Sequence, residues 1–158
     1  FEENVDRLEL LRRAKEKIST WKVHVFEKVK RIEHVVSEMR RMKAGDGLDL
    51  SVIDYAQLLK GIRRDGDSRE REVASISGEL KAAATETNSV VILLSQLNEA
   101  GKLRESRALG QDANCILSLE GEEGNRVVRV VAARSSPSGA EIPVKWEPQF
   151  TKFSEHIE

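Results

Sequence analysis

The chain has 158 residues, a length suited to one domain with a sizeable core. Its 26 basic and 27 acidic residues leave a net charge of −1, which excludes a globally basic nucleic-acid binder and confines any such contact to a local patch. Charged residues make up 34%, above the ~25% of an average domain, and point to long exposed helix faces.

All three prolines, Pro137, Pro143 and Pro148, lie in the last quarter, so long regular elements are allowed before them. Leu8, Leu11, Ala14 and Ile18 recur at helical spacing, where leucines, valines and isoleucines are expected to be core, and Trp21, Val23 and Val25 then switch to period two, which predicts a helix followed by a short strand. Val29, Ile32, Val36 and Met39 form the apolar face of a second helix, closed by Gly45 and Gly47. Its basic outer face, including Lys28, Arg31, Arg40 and Lys43, reads as a solvated surface. Residues 48–53 read as an apolar strand ending in Asp54.

Asp67 or Ser68 caps a long helix that runs through Val73, Ile76, Leu80 and Ala84 and stops at Asn88. Residues 90–94 are five apolar residues in a row, which suits a parallel strand buried on both faces. Three more strands are predicted, at 115–119, 127–132 and 141–146, with Phe150 and Phe153 beyond them. The lone cysteine, Cys115, falls in the first of these and is expected in the core; it cannot form an internal disulfide. His24, His34 and His156 share no metal-ligand spacing with it. No apolar run reaches the ~18–20 residues of a membrane span, and the start, Phe-Glu-Glu-Asn-Val, has neither region of a signal peptide. The expectation is a single α/β domain over residues 1–158, with a mainly parallel sheet flanked by helices and an antiparallel extension at the carboxyl end, in a soluble cytoplasmic protein with no membrane contact.

An apolar strand delivering one Asp to the carboxyl edge of a sheet is the Walker B arrangement, although strands ending in Asp are common and the pattern alone favours a capping or turn Asp. The company it keeps is more specific. Asp54-Tyr-Ala-Gln-Leu-Leu, then Arg69, Glu72-Val73, Ile76-Ser77, Leu80-Lys81 and Ala84 come first. Val91-Ile-Leu-Leu-Ser-Gln-Leu-Asn98, Leu103-Arg-Glu-Ser106 and Gln111-Asp-Ala113 follow in order. Together they resemble the carboxy-terminal RecA-like motor domain of DnaB-type replicative DNA helicases. The resemblance extends to residues 7–18, which look like the family's helix before its second motif, at one end and to Ala-Ala-Arg-Ser-Ser-Pro-Ser-Gly, residues 132–139, at the other.

The resemblance implies roles that chemistry makes plausible. Asp54 would hold Mg²⁺ through water, because the small hard cation prefers oxygen ligands and keeps part of its hydration shell. Gln96 would sense the γ-phosphate of ATP, a neutral amide donating without added charge; taken alone, Ser95 and Gln96 read as the start of a loop. Arg134 would be an arginine finger reaching ATP bound by a neighbouring subunit, and alone reads as a solvated hairpin residue. Arg104, Glu105, Ser106 and Arg107 would form the loop that grips single-stranded DNA inside a homo-hexameric ring, where a cation and small hydrogen-bonding groups follow the phosphates without reading bases. Primase or a helicase loader would be further partners.

The sequence departs from the family in four places. No window satisfies G-x-x-x-x-G-K-[S/T], the loop whose backbone amides and Lys cradle the phosphates. The chain therefore looks like the downstream part of a motor, inactive in ATP hydrolysis by itself, with the loop and the catalytic glutamate upstream. Arg107 stands where the family has Gly, Ala132 replaces the Lys that accompanies the finger, and only residues 99–102 separate Asn98 from Leu103. Two other readings accommodate these departures: a degenerate, non-hydrolysing structural or regulatory relative, and a RecA/KaiC-like ATPase that acts on protein partners.

Overall fold

The computed structural model describes residues 2–61, 67–96, 107–122 and 125–155. Its helices are α1 (Glu2–Ser19), α2 (Ile32–Ala44), α3 (Arg69–Thr87) and α4 (Arg107–Asp112). Its strands are β1 (Leu50–Ile53), β2 (Val90–Leu93), β3 (Cys115–Glu122), β4 (Asn125–Ala133), β5 (Glu141–Glu147) and β6 (Lys152–Glu155). β1 and β2 pair in parallel from Leu50 opposite Val90 to Ile53 opposite Leu93, and β3 to β6 form an antiparallel sheet in chain order. The α/β class with parallel strands, flanking helices and an antiparallel extension is therefore the one the sequence predicts. Among the described residues no helix is long and apolar enough to cross a membrane.

Local chemistry sets the element ends. Ser68 takes the N-cap of α3, its hydroxyl oxygen accepting from the Arg71 N–H at 3.3 Å, and Asn88 ends that helix in the left-handed conformation at φ 46°. α2 has no side-chain cap; the Ile32 N–H instead donates to the Lys60 carbonyl at 2.9 Å. Beyond its C-cap at Gly45, Gly47 adopts φ 88°, which only glycine takes without cost, and its N–H reaches the Met42 carbonyl.

The core lies between α2, α3 and one face of the parallel strands. Ile32, Val36 and Met39 of α2 meet Ile76, Leu80 and Ala83 of α3, with Ile53, Val91 and Leu93 packed beneath. Each such side chain contributes about 1.5–3 kcal/mol by leaving water. A smaller cluster of Ala56, Val73 and Leu109 joins α4 to α3, and Leu93 packs against both clusters. The basic face of α2 is solvated as expected, with Arg31 paired to Glu33 and Arg41 to Glu38.

Four expectations are corrected. Residues 22–26 have no regular structure, so Trp21, Val23 and Val25 form no strand; alternation makes a strand only when a neighbour supplies the ladder, and β1 pairs with β2 alone among the described residues. β2 is covered on one face only: Val90, Ile92 and Leu94 stay exposed beside Leu50 and Val52 of β1, because α2 and α3 both pack on the opposite side. The leucines of α1 are not core either, with Leu8 67% and Leu11 66% exposed; ion pairs of Glu9 with Arg12 and Arg13 support that helix along its surface. Cys115 is exposed at the start of β3 and not in the core.

Candidate functional site at the carboxyl edge of the parallel strands

Parallel pairing brings the ends of β1 and β2 to one edge, where α/β folds place their ligands. Asp54 is the first residue past β1, and its exposed side chain has no hydrogen-bond or ion-pair partner among the described residues. The register continues one step beyond the strands: the Leu94 N–H donates to the Ile53 carbonyl at 3.0 Å, and the Ala56 N–H donates to the Leu94 carbonyl at 2.8 Å. Gln96 follows two residues later, also exposed, so the structure gathers Asp54 and Gln96 on the same edge. The Asp54–Tyr55 peptide is cis, and Tyr55 is half-buried.

Behind this edge lies a polar layer to which the sequence assigned no role. Gln57, on the short 3-10 turn Ala56–Leu58, donates from Nε2 to Ser95 Oγ at 3.0 Å and accepts at Oε1 from the Gln96 N–H at 3.4 Å. Arg69 of α3 donates from Nη2 to the carbonyls of Gln57 at 3.0 Å and Leu59 at 3.2 Å. Its Nη1 lies 2.7 Å from Glu72 Oε2, and Glu72 Oε1 accepts from the Gly61 N–H at 3.0 Å. Glu72 is only 4% exposed, yet both of its oxygens have partners, which is what makes a buried carboxylate tolerable. The signal for Gln57 was its position three residues after Asp54, but spacing gives no hint of contact with a strand 38 residues away.

Arg134 sits just past β4, on the other sheet. Its Nε donates to the Ala113 carbonyl at 3.2 Å and its Nη2 donates to the Gln111 carbonyl, so the guanidinium caps the carboxyl end of α4. Its own N–H donates to the Asn114 carbonyl at 2.9 Å, and Lys81 of α3 donates to Asn114 Oδ1. Arg104, Glu105 and Ser106 lie outside the described residues, as do residues 99–102; Arg107 opens α4.

The arrangement can offer a carboxylate oxygen for a hydrated hard cation and an amide for an anion beside it. Among the described residues Asp54 supplies one exposed carboxylate at this edge and no group of three or more potential metal ligands gathers, and the sequence holds no phosphate-cradling loop. Helices packed on parallel strands, with an acid and an amide at their shared carboxyl edge, define an α/β domain of the ligand-binding kind, and its superposition on helicase and KaiC-like structures makes it RecA-like. The chain belongs to the family described as the DnaB-like helicase C terminal domain, whose profile matches residues 2–155.

Replicative DNA helicase DnaC of Bacillus subtilis is 31% identical over 143 residues, covering 78% of this chain and 31% of the relative. A solved structure titled as a DnaB-like replicative helicase and its interactions with primase superposes with a TM-score of 0.81 at 28% identity, over 90% of this chain and 39% of that one. A KaiC-like protein from Pyrococcus horikoshii superposes at 0.61 with 17% identity, over 80% of this chain and 57% of that one, and shares the fold. The chain thus spans about a third of the length of the helicase it matches.

Proposed function

We propose that residues 1–158 form part of a RecA-like motor domain of a replicative DNA helicase, a homo-hexameric ring that uses ATP and Mg²⁺ to translocate on single-stranded DNA. The observation that carries this reading is the meeting of Asp54 and Gln96 at one carboxyl edge of β1 and β2. ATP and Mg²⁺ supply the phosphoryl group and the charge that neutralises it. Asp54 holds the hydrated cation through its carboxylate. Gln96 donates its side-chain amide toward the γ-phosphate position and orients what lies there without changing the charge of the edge. Arg134 leaves the end of α4 to reach the neighbouring subunit's site, where a guanidinium meets the charge of the departing phosphoryl group.

Residues 104–107 follow the DNA phosphates in the ring's channel, a local cation source consistent with a net charge of −1. These 158 residues hold no phosphate-cradling loop, so the isolated chain is expected not to hydrolyse ATP. Primase is a candidate partner, a reading supported by the DnaB-like structural relative, which is described with its interactions with primase.

The test is ATP hydrolysis by the intact protein with and without single-stranded DNA. Asp54→Ala is expected to lower kcat by at least about 100-fold, the scale for losing a preorganised charge-stabilising group. Hydrolysis at the parental rate by Asp54→Ala, or Asp54-dependent hydrolysis by the isolated 158-residue chain, overturns the reading. Arg104→Ala should weaken single-strand binding and reduce its salt dependence, as loss of one phosphate contact does.

A further inference from the structure

We propose that Gln57 is a positioning residue that sets Gln96 against Asp54, an inference that rests on the roles given to those two residues above. Asp54 and Gln96 have exposed side chains, so burial does not fix either of them. Backbone bonds join the segments as far as Leu94, and beyond it, among the described residues, the contacts between them come from one side chain. Gln57 spends its amide donor on Ser95 and its amide acceptor on the backbone N–H of Gln96, which ties the second and third residues after β2 to the turn after β1. A two-point contact of this kind fixes distance and orientation together, as a single bond does not.

Gln57 is itself held from behind. Its carbonyl accepts from Arg69, and Arg69 is anchored by Glu72, whose carboxylate also receives the Gly61 N–H. The Ala56 N–H clasps the Leu94 carbonyl one residue earlier. The chain of contacts therefore runs from α3 through Arg69 to Gln57, and from Gln57 to Ser95 and Gln96, with Asp54 three residues upstream, between β1 and the turn. A glutamine serving packing alone would have no reason to direct both ends of its amide at the segment that carries Gln96. Small misplacements of reacting groups cost about 100-fold in rate, so a residue that holds this spacing acts on turnover without touching substrate.

The experiment is a double-mutant cycle in the intact helicase, reading kcat and KM for ATP with single-stranded DNA present, together with thermal midpoints. Gln57→Met keeps the length and bulk of the side chain and removes both polar contacts; it is expected to lower kcat about 10-fold to 100-fold with KM and the midpoint nearly unchanged. Gln96→Ala should lower kcat as well, and the double variant should be no slower than Gln96→Ala, because Gln57 acts through Gln96. Ser95→Ala, which removes one of the two anchors, should fall between parent and Gln57→Met. Losses that add in the double variant, an unchanged kcat in Gln57→Met, or a fall explained by a lowered midpoint each overturn the inference. If Gln96→Ala turns over normally, the role given to Gln96 fails first and takes this inference with it. If Gln96→Ala is slow and Gln57→Met is not, only the inference about Gln57 fails.

Discussion

Arg40 of α2 grips Glu86 of α3 at two points, its Nε 2.9 Å and its Nη2 2.7 Å from the two carboxylate oxygens. The guanidinium holds the Glu86 carboxyl below its usual range and is itself raised by the hydrogen bond and charge of Glu86. A depressed carboxylate contributes stability above its unfolded pKa of about 4.3 and loses that contribution as pH falls through the folded value. Glu86→Gln is therefore expected to lower stability slightly at neutral pH, a small loss because both partners are half in solvent, and to leave it unchanged once wild-type Glu86 is protonated, so that the acid limb below about pH 4.5 becomes shallower by the same small amount. Urea midpoints measured across that range check it; an acid limb that stays as steep refutes it. Glu120, lowered by hydrogen bonds from Ser118 and Arg129, adds to the same limb with the same sign.

Glu72 presents the opposite case, a carboxylate almost wholly inside. Glu72→Ala strands the Gly61 N–H and removes the anchor of Arg69, and is expected to cost about 2–4 kcal/mol. Glu72→Gln, which keeps an acceptor for Gly61, should cost less. Chemical denaturation of the two variants measures the difference, and equal losses would mean that the Gly61 contact contributes nothing.

The core and the open face should respond unequally to substitution. Ile76, wholly buried, is expected to lose about 2–5 kcal/mol on truncation to Ala. Val52→Thr, on the uncovered side of β1, should stay within about 0.5 kcal/mol. A large loss at Val52 would show that the outer face is covered in solution.

Arg134→Ala removes the cap on the carboxyl end of α4. The Ala113 N–H, which donates to Leu109, should then exchange about fivefold faster with solvent, equivalent to about 1 kcal/mol of local stability. Arg134→Lys should restore little of this, since an ammonium cannot reproduce the fork that reaches two carbonyls. Unchanged exchange would show that the guanidinium does not rest there.

The parts that could be read in the chain were those governed by local rules. Ser68 and Asn88 mark the ends of α3 because capping is a property of a few adjacent residues. Ile32, Val36, Met39, Ile76 and Leu80 announce their burial through helical spacing. Period-two alternation at 21–25 and the helical stripe of α1 describe what a segment could bury, while burial itself depends on a second surface. The same limit hid the site's supporting layer. Asp54 and Gln96 follow apolar strands and are picked out by the order of several motifs, whereas the Gln57–Ser95 contact exists only once the two strands are in register.

The uncovered side of β1 and β2 has a practical consequence for anyone handling this polypeptide alone. Leu50, Val52, Val90 and Ile92 present a water-facing greasy strip backed by a rigid sheet, a surface that invites copies of the chain to adhere to one another. Midpoints and exchange rates for the isolated chain should accordingly be taken at several protein concentrations, and a charged substitution such as Val52→Lys is the first remedy to try if samples turn cloudy.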